Sequence, residues 1–200
     1  MSDNPQGVFI DDVEFPFDDS TSILEFSNKS LGEKIIPTLC DDDNLKPYGA
    51  CRVCSVEVQH TEDGPKRTVA SCHTPINPGM RIYTNSDSVK TLRRNIVELV
   101  LSDHPPDCLT CEVNGNCELQ DVAASVGVRK IRYAKGKNHC DREKDLSHAY
   151  MRMDLSKCIN CSRCVRACDE VQGQFTLTMT GRGFESRITT DNDMLFGEIG

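Results

Sequence analysis

The chain has 200 residues, of which 38% are hydrophobic, and its formal net charge at pH 7 is −8. This hydrophobic content is enough for one or two small cores, so we expect several compact modules and not one large fold. The acidic balance argues against nucleic acid and anionic membranes as partners.

The sequence also gives no sign of membrane insertion or export. The longest apolar run, residues 95–101, contains Glu98 and is too short to cross a bilayer. The first residues lack a basic stretch followed by an apolar segment, which is the pattern of a secretory signal. We therefore expect a cytoplasmic protein that does not bind membranes.

Twelve cysteines are many for a cytosolic protein, and such a density indicates either a disulfide scaffold or metal sites. Disulfides require an oxidising compartment, whereas C-x2-C pairs recur in this chain without an export signal, so we interpret the cysteines as metal ligands. Zinc also binds C-x2-C pairs in closed tetrahedral sites, which leaves a structural zinc protein as an alternative. Three dissimilar cysteine groups in one chain favour iron–sulfur clusters.

The amino-terminal residues predict a hairpin followed by a short helix. Residues 7–17 contain two short apolar runs joined by an Asp-Asp turn. Ser20 or Thr21 can cap the helix that follows. The candidate buried residues of this helix are Ile23, Leu24 and Phe26.

The first cysteine group has the spacing C-x10-C-x2-C-x17-C. Its members are Cys40, Cys51, Cys54 and Cys72. Gly49 and a following alanine precede the C-x2-C pair, so this loop can fold close over a cluster with its backbone amides directed at the cluster sulfides. Strands are predicted at residues 55–58, 68–71 and 80–84, the first two joined by a polar turn.

This order of hairpin, helix, cysteine loop, hairpin and final strand resembles the β-grasp fold of plant-type [2Fe–2S] ferredoxins. The plant type has four residues in the first gap. The ten residues found here resemble instead the [2Fe–2S] domains of complex I, NAD-linked formate dehydrogenases and [FeFe] hydrogenases. The resemblance covers residues 6 to 84, and we expect a β-grasp domain at residues 1–84. It implies that the four cysteines of the first group bind one [2Fe–2S] cluster.

A helix is predicted next, because apolar residues recur at helical spacing. They are Val89, Leu92, Ile96, Leu99 and Val100, which we interpret as ordinary core. Pro105 and Pro106 cannot continue a helix, so it must end near Asp103 or His104. A second short helix is predicted at residues 118–126, and Gly127 can end it.

The second candidate site lies between these helices and has the spacing H-x3-C-x2-C-x5-C. Its members are His104, Cys108, Cys111 and Cys117. A lone histidine before two prolines is ordinarily a surface residue or a helix-end cation, but this one precedes three spaced cysteines. The set resembles the His-(Cys)3 [4Fe–4S] domain of the same three families, where the histidine is an iron ligand. The resemblance implies a [4Fe–4S] domain at residues 85–128, in which neutral imidazole adds no negative charge.

Residues 129–149 are rich in basic and polar residues without periodicity, which predicts a linker. Cys140 lies there outside any motif, and we interpret it as a free thiol. The histidines to which we assign no ligand role are His60, His73, His139 and His148.

The third group is a C-x2-C-x2-C-x3-C run that follows a predicted strand at residues 150–154. Its members are Cys158, Cys161, Cys164 and Cys168. Thiolates at this spacing wrap a [4Fe–4S] cluster, and the first three bind the same cluster. Cys168 either completes that cluster or binds a further one, which would need a second run that these residues lack. We expect residues 150–200 to be a ferredoxin-type [4Fe–4S] segment, incomplete at its carboxyl end, with a hairpin around a glycine turn at residues 181–183.

The residues from Cys158 to Phe175, which include the sequence Asp-Glu-Val-Gln-Gly, resemble the alpha subunit of NAD-dependent formate dehydrogenases containing molybdenum or tungsten. The resemblance extends over nearly the whole chain. It implies an electron relay between a Mo/W-pterin formate site and a flavin subunit that has its own iron–sulfur clusters and reduces NAD. The Mo/W-pterin cofactor, FMN and NAD would all be bound by the rest of the complex. The same module order in [FeFe] hydrogenases and in complex I makes a relay in either of these the alternative.

No part of the sequence indicates substrate chemistry. It contains no Ser/His/Asp order, no P-loop and no G-x-G-x-x-G motif, so we assign no catalytic residue. Metal centres saturated by protein ligands cannot bind substrate at iron, and one-electron transfer is the function that remains. The predicted fold class is α+β.

Overall fold

The computed structural model describes residues 7–136 and 143–199. Cys140 and His139 therefore lie outside the described residues. The chain divides into two compact units, and the division falls within two of its helices. The first unit comprises residues 1–41, 47–96 and 122–127, and the second comprises residues 42–46, 97–121 and 128–200.

The first unit contains one mixed sheet and a helix. Its elements are β1 (Val8–Ile10), β2 (Val13–Phe15), α1 (Ile23–Leu31), β3 (Ser55–Gln59), β4 (Arg67–Ala70) and β5 (Arg81–Tyr83). The strands lie in the order β2-β1-β5-β3-β4, with β1 parallel to β5 and the other neighbours antiparallel. Two antiparallel hairpins, β1-β2 and β3-β4, thus flank the central strand β5. The predicted hairpins, the β-grasp domain and the α+β class are confirmed.

The core of this unit lies between the sheet and α1. Val8 and Ile10 of β1 are buried on either side of a less buried Phe9, as expected for a strand with one face toward the core. The helix buries the three apolar side chains predicted for its inner face, and Phe26 has no exposed surface. Burial of one such large side chain contributes about 1.5–3 kcal/mol.

The start of α1 differs from the prediction by one or two residues. Ser22, and not Ser20 or Thr21, is the N-cap, since its side chain accepts a hydrogen bond of 3.2 Å from the amide of Glu25. Thr21 instead donates both its amide and its hydroxyl to the carboxylate of Glu25. The helix ends at Gly32, whose φ of +69° suits glycine and whose amide donates to Asn28.

The helix predicted after the sheet is α2 (Asp87–Ser102). It ends just before the two prolines, as expected, but its buried residues are only partly those that the apolar spacing predicted. Val89 is buried, whereas Leu99 is 45% exposed and the charged Arg93 and Glu98 are buried. These charged side chains are buried because each has polar partners: Arg93 donates to backbone carbonyls, and the Glu98 carboxylate accepts a hydrogen bond of 2.7 Å from Arg132. Among the described helices, none is both long and apolar enough to cross a membrane.

The second unit contains few regular elements. They are the carboxyl end of α2, the first half of α3 (Glu118–Ser125), α4 (Arg163–Arg166), a π-helical turn (Ala167–Val171) and the strands β6 (Thr178–Thr180) and β7 (Arg187–Thr189). Single 3-10 turns occur at Cys108–Thr110, Leu155–Lys157, Gly183–Glu185, Asp191–Asp193 and Phe196–Glu198. The hairpin predicted around the glycine turn is confirmed by antiparallel β6 and β7. The strand predicted at residues 150–154 is wrong, because this segment pairs only through an isolated bridge between Asp145 and Met153.

The two units differ in how much apolar surface they bury. The buried hydrophobic residues that form one connected cluster all lie in the first unit. Among the described residues of the second unit, the buried hydrophobic side chains are Val97, Leu119 and Ile188. The second unit is therefore a set of loops and short turns without a comparable core.

Candidate metal centres

The structure brings together all four cysteines of the first group, within the first unit. Cys40, Cys54 and Cys72 are at most 2% exposed, and Cys51 is partly buried. The sulfur atoms of Cys54 and Cys72 lie 3.4 Å apart, and the amide of Cys51 donates to the sulfur of Cys40 at 3.5 Å. One backbone amide of this loop is thus directed at a cysteine sulfur, and the expected amide contacts to cluster sulfides stay a prediction.

The backbone around these cysteines is tightly turned. Gly49 has a φ of +69°, and a Cβ at this position would lie 3.4 Å from the Cβ of His73. Arg52, between Cys51 and Cys54, has a φ of +61°, which is uncommon for a residue other than glycine.

Ionisation of these thiols is strongly linked. The hydrogen bond with Cys40, together with burial, raises the pKa of Cys51, and the Cys54 thiol has the same effect on the pKa of Cys72. The hydrogen bond with Cys72 lowers the pKa of Cys54 to about 7. Four clustered thiolates, three of them buried, cannot coexist without a positive charge among them. A metal core supplies that charge, and its coordination removes the thiol protons outright. The donor set therefore fits a [2Fe–2S] cluster.

The second group occupies one continuous segment of the second unit. The C-x2-C pair is in a 3-10 turn, closed by a hydrogen bond of 3.2 Å from the amide of Cys111 to the carbonyl of Cys108. Cys117 directly precedes α3 and accepts at its carbonyl from Asp121. These cysteines are partly or fully exposed.

His104 is half-buried, and its Nδ1 lies 3.1 Å from the carbonyl oxygen of Pro105. A carbonyl can only accept, so Nδ1 carries the proton in this contact and Nε2 keeps its lone pair. Histidines that bind metal commonly donate their other ring N–H to a backbone carbonyl in this manner. The contact therefore prepares His104 to be a ligand through Nε2, and the donor set of one imidazole and three thiols fits a [4Fe–4S] cluster.

The four cysteines of the third group also lie within electrostatic range of one another. Burial, and then the charges of Cys164 and Cys161, raise the pKa of Cys158. Partial burial and the charges of Cys161 and Cys168 raise the pKa of Cys164. The loop turns through positive φ at Asn160 (+54°), whose amide donates to the sulfur of Cys158 at 3.4 Å.

Cys168 lies in the π-helical turn that directly follows α4. The amide of Gln172 donates to the carbonyl of Ala167 at 3.1 Å, which is the i to i+5 bond of a π-helix. Single π-turns are rare and frequently occur at functional sites, because they rotate the side chains that follow. The position of Cys168 thus departs from that of a regular helix, a feature that the cysteine spacing alone does not reveal.

Two arginines flank the cysteines of the third group. The guanidinium of Arg163 donates to the carboxylate of Glu118. Arg166 is buried and donates to the carbonyl of Lys46 at 3.0 Å, while the amide of Lys46 donates to Glu170 at 2.7 Å. Part of the ten-residue gap between the first two cysteines is thereby fastened to the helical turns that carry the third group. The cysteine spacing shows that this gap is long, but it does not show that Lys46 is hydrogen-bonded to Arg166 and Glu170.

The described cysteines form no disulfides. The 3.4 Å between the sulfurs of Cys54 and Cys72 exceeds the S–S bond length of about 2.05 Å. Within the described ranges, no three His, Cys, Asp or Glu side chains are gathered at the spacing required by one metal ion. The ligands of a multi-iron cluster are separated by its inorganic core, so a cluster site does not need that spacing.

Comparison with known families divides the chain into three matching segments. Residues 7–87 match the 2Fe-2S iron-sulfur cluster binding domain, and residues 93–132 match the iron-sulfur binding region of NADH-ubiquinone oxidoreductase-G. Residues 149–197 match the ferredoxin-like domain of NADH-quinone oxidoreductase subunit 3. Each segment contains one of the three predicted ligand groups.

Individual relatives agree with these matches. The chain is 41% identical over 165 residues to the NADP-reducing hydrogenase subunit HndD of Solidesulfovibrio fructosivorans, an alignment that covers 80% of this chain and 27% of the relative. It is 35% identical over 183 residues to the NADH-ubiquinone oxidoreductase 75 kDa subunit of Reclinomonas americana, covering 92% of this chain and 25% of the relative. The chain thus spans about a quarter of the length of these curated relatives.

A similar solved structure is that of an NAD+-reducing [NiFe]-hydrogenase in the H2-reduced state. It aligns with a TM-score of 0.82 at 29% identity, covering 98% of this chain and 79% of that chain. Fold and sites together define an α+β iron–sulfur protein with one 2Fe-2S domain followed by 4Fe-4S binding domains. More particularly, the chain is similar to the 2Fe-2S/4Fe-4S module of NADH-quinone oxidoreductase 75 kDa subunit-like proteins.

Proposed function

We propose that this chain is an electron relay within an NAD(P)-linked oxidoreductase, with one [2Fe–2S] and two [4Fe–4S] clusters bound by the three ligand groups. The observation that carries the proposal is the first group, in which four cysteines come together, three of them buried, and a backbone amide donates to a cysteine sulfur. When bound, such clusters supply one-electron transfer. In this proposal protein side chains supply the ligands of each cluster, with Cys168 either completing the third site or binding a further cluster, and the sequence offers no catalytic residue beside them.

The direct test is the metal content of anaerobically purified protein. We expect brown protein with iron and acid-labile sulfide in equal amounts, and electron paramagnetic resonance signals from both cluster types after reduction. Colourless protein that contains zinc without iron or sulfide would support the structural zinc alternative and contradict the relay.

The relatives share a nicotinamide nucleotide, since their names include NADP, NADH or NAD+. We propose a flavin subunit that binds this nucleotide and has its own iron–sulfur clusters as one partner of the chain. Electrons would enter or leave the relay through that subunit.

At the other end of the relay we propose a formate site with molybdenum or tungsten bound by pterin. The support is the resemblance of the third-group residues, Asp169 to Gly173 in particular, to formate dehydrogenase alpha subunits. A second candidate is hydrogen, which is favoured by the 41% identity to a subunit named as a hydrogenase.

These candidates can be separated in the native complex, purified anaerobically through a tag on this chain. Formate-dependent reduction of NAD+, together with molybdenum or tungsten in the preparation, is the expected result. Reduction of NAD+ or NADP+ by hydrogen, without activity on formate, would replace the formate proposal with the hydrogenase one and leave the relay intact.

His104 provides a test of the second ligand group. Replacing it (His104→Cys) adds one negative charge to the cluster when a thiolate substitutes for neutral imidazole, so the potential of that [4Fe–4S] cluster should fall. A redox titration followed by electron paramagnetic resonance measures the change. The control is His60→Cys, which adds a cysteine at an exposed position of the first unit and should leave the potential unchanged. An unchanged or higher potential in His104→Cys would contradict ligation by His104.

A further inference from the structure

Arg93 is a buried cation next to the first cysteine group. Its side chain belongs to α2, is 6% exposed and lies in the first unit together with β3 and β5. Its Nε and Nη2 atoms donate to the carbonyl of Ser55 at 3.0 and 2.7 Å, and Nη1 donates to the carbonyl of Thr84 at 3.0 Å. Ser55 directly follows Cys54, so the guanidinium is fastened to the residue next to a predicted iron ligand.

The partners of this guanidinium are neutral. Each of its hydrogen bonds ends on a backbone carbonyl, which satisfies the N–H groups but does not cancel the positive charge. Removing a charge from water without a counter-charge is expensive. Burial accordingly lowers the pKa of Arg93 to about 10, and the negative charges of Cys54 and Asp11 oppose this shift.

The carboxylate of Asp11 already has partners of its own. It accepts hydrogen bonds from the amide of Thr84, at 2.7 Å, and from the hydroxyl of the same residue. The other negative charge that acts on Arg93 is that of the Cys54 sulfur, a member of the first ligand group. Both negative charges thus oppose the desolvation of Arg93, and Cys54 is the one that belongs to the proposed redox site.

We propose that Arg93 sets the reduction potential of the [2Fe–2S] site by holding a fixed positive charge beside Cys54. This inference rests on the ligand assignment proposed above. Reduction adds one electron to the site, no bond is made or broken, and the reduced site carries one more negative charge than the oxidised site. A buried cation lowers the energy of the more negative state further, so Arg93 raises the potential.

The alternative role for Arg93 is only structural, as a clamp between α2 and the ends of β3 and β5. The two roles differ in what they require of the side chain. A clamp requires the forked donor geometry of guanidinium, which lysine cannot reproduce. An electrostatic role requires the charge, which lysine keeps and glutamine loses.

The test compares Arg93→Gln and Arg93→Lys with Arg94→Gln, which removes a cation from the next, exposed position of the same helix. Each full-length protein is purified anaerobically, assayed for iron, sulfide and melting temperature, and titrated with dithionite while the [2Fe–2S] paramagnetic signal is recorded. We expect a lower midpoint potential in Arg93→Gln, a potential near that of the unmodified protein in Arg93→Lys, and no change in Arg94→Gln.

The proposal is overturned if Arg93→Gln retains its cluster at an unchanged midpoint potential. It is also overturned if the midpoint potential of Arg93→Lys falls as far as that of Arg93→Gln. If Arg93→Gln binds no cluster, the midpoint potential of Arg93→Lys decides between the two roles. An unchanged potential supports the electrostatic role, and a lower potential overturns it. Absence of a [2Fe–2S] signal from the unmodified protein would instead refute the proposed ligand group, so the two failures are distinguishable.

Discussion

Removal of iron by a chelator under anaerobic, reducing conditions is expected to unfold the second unit while the first unit keeps its sheet. The buried hydrophobic cluster lies in the first unit, whereas the described part of the second unit buries only Val97, Leu119 and Ile188. A segment with so little apolar core depends on its metal ligands, because metal binding is coupled to folding where loops hold the ligands. The cluster-free protein should therefore lose much of its cooperative melting transition.

Amide hydrogen exchange, resolved by peptide, measures this difference between the units. Residues 97–121 and 143–199 should lose most of their protection after iron removal, and peptides that cover β1, β3 and β5 should retain theirs. The matched control is protein treated identically with chelator already saturated with iron. A cluster-free protein that melts like the native one, with protection retained in residues 143–199, would contradict the prediction.

The sheet was predictable because each of its strands has a local signal. Short apolar or alternating runs bounded by turn residues predict all five strands, β1 to β5, without reference to the rest of the chain. The strand predicted at residues 150–154 had a similar local pattern but finds a partner only at Met153, through one bridge to Asp145. A strand exists only where another strand pairs with it, and periodicity does not reveal the partner.

The buried face of α2 shows a second limit of predicting structure from sequence patterns. Apolar spacing treats charged residues as solvent-exposed, so it selected Leu99 and overlooked Arg93 and Glu98. Both charged side chains are buried because distant segments supply their partners: the carbonyls of Ser55 and Thr84 for Arg93, and Arg132 for Glu98. A helical pattern in one segment contains no information about such partners.

The candidate ligands were more predictable than their surroundings. Cysteine spacing is a local property, and the structure brings together the members of the first and third groups that the spacing predicted. The contact between His104 and the carbonyl of Pro105, the π-helical turn at Cys168 and the burial of Arg166 depend on backbone conformation. Cysteine spacing does not determine these features.

Replacing Cys54 with alanine is expected to abolish the [2Fe–2S] signal and leave the [4Fe–4S] signals in place. Cys54 is 1% exposed, its sulfur lies 3.4 Å from that of Cys72, and the ligand group containing it lies wholly in the first unit. Alanine has no atom that can bind iron, so the site loses a ligand that no neighbouring water can readily replace. Iron and sulfide should each fall by about two atoms per chain, the content of one [2Fe–2S] cluster.

The matched control for this variant is Cys140→Ala, which removes a cysteine that belongs to none of the three groups and should leave every signal unchanged. Both variants are purified anaerobically and compared by iron and sulfide assay and by electron paramagnetic resonance after reduction. A full [2Fe–2S] signal in Cys54→Ala would show that Cys54 is not a ligand, and loss of that signal in Cys140→Ala would refute the ligand set. Because the second and third groups lie in the other unit, simultaneous loss of the [4Fe–4S] signals in Cys54→Ala would contradict the independence of the two units that this prediction requires.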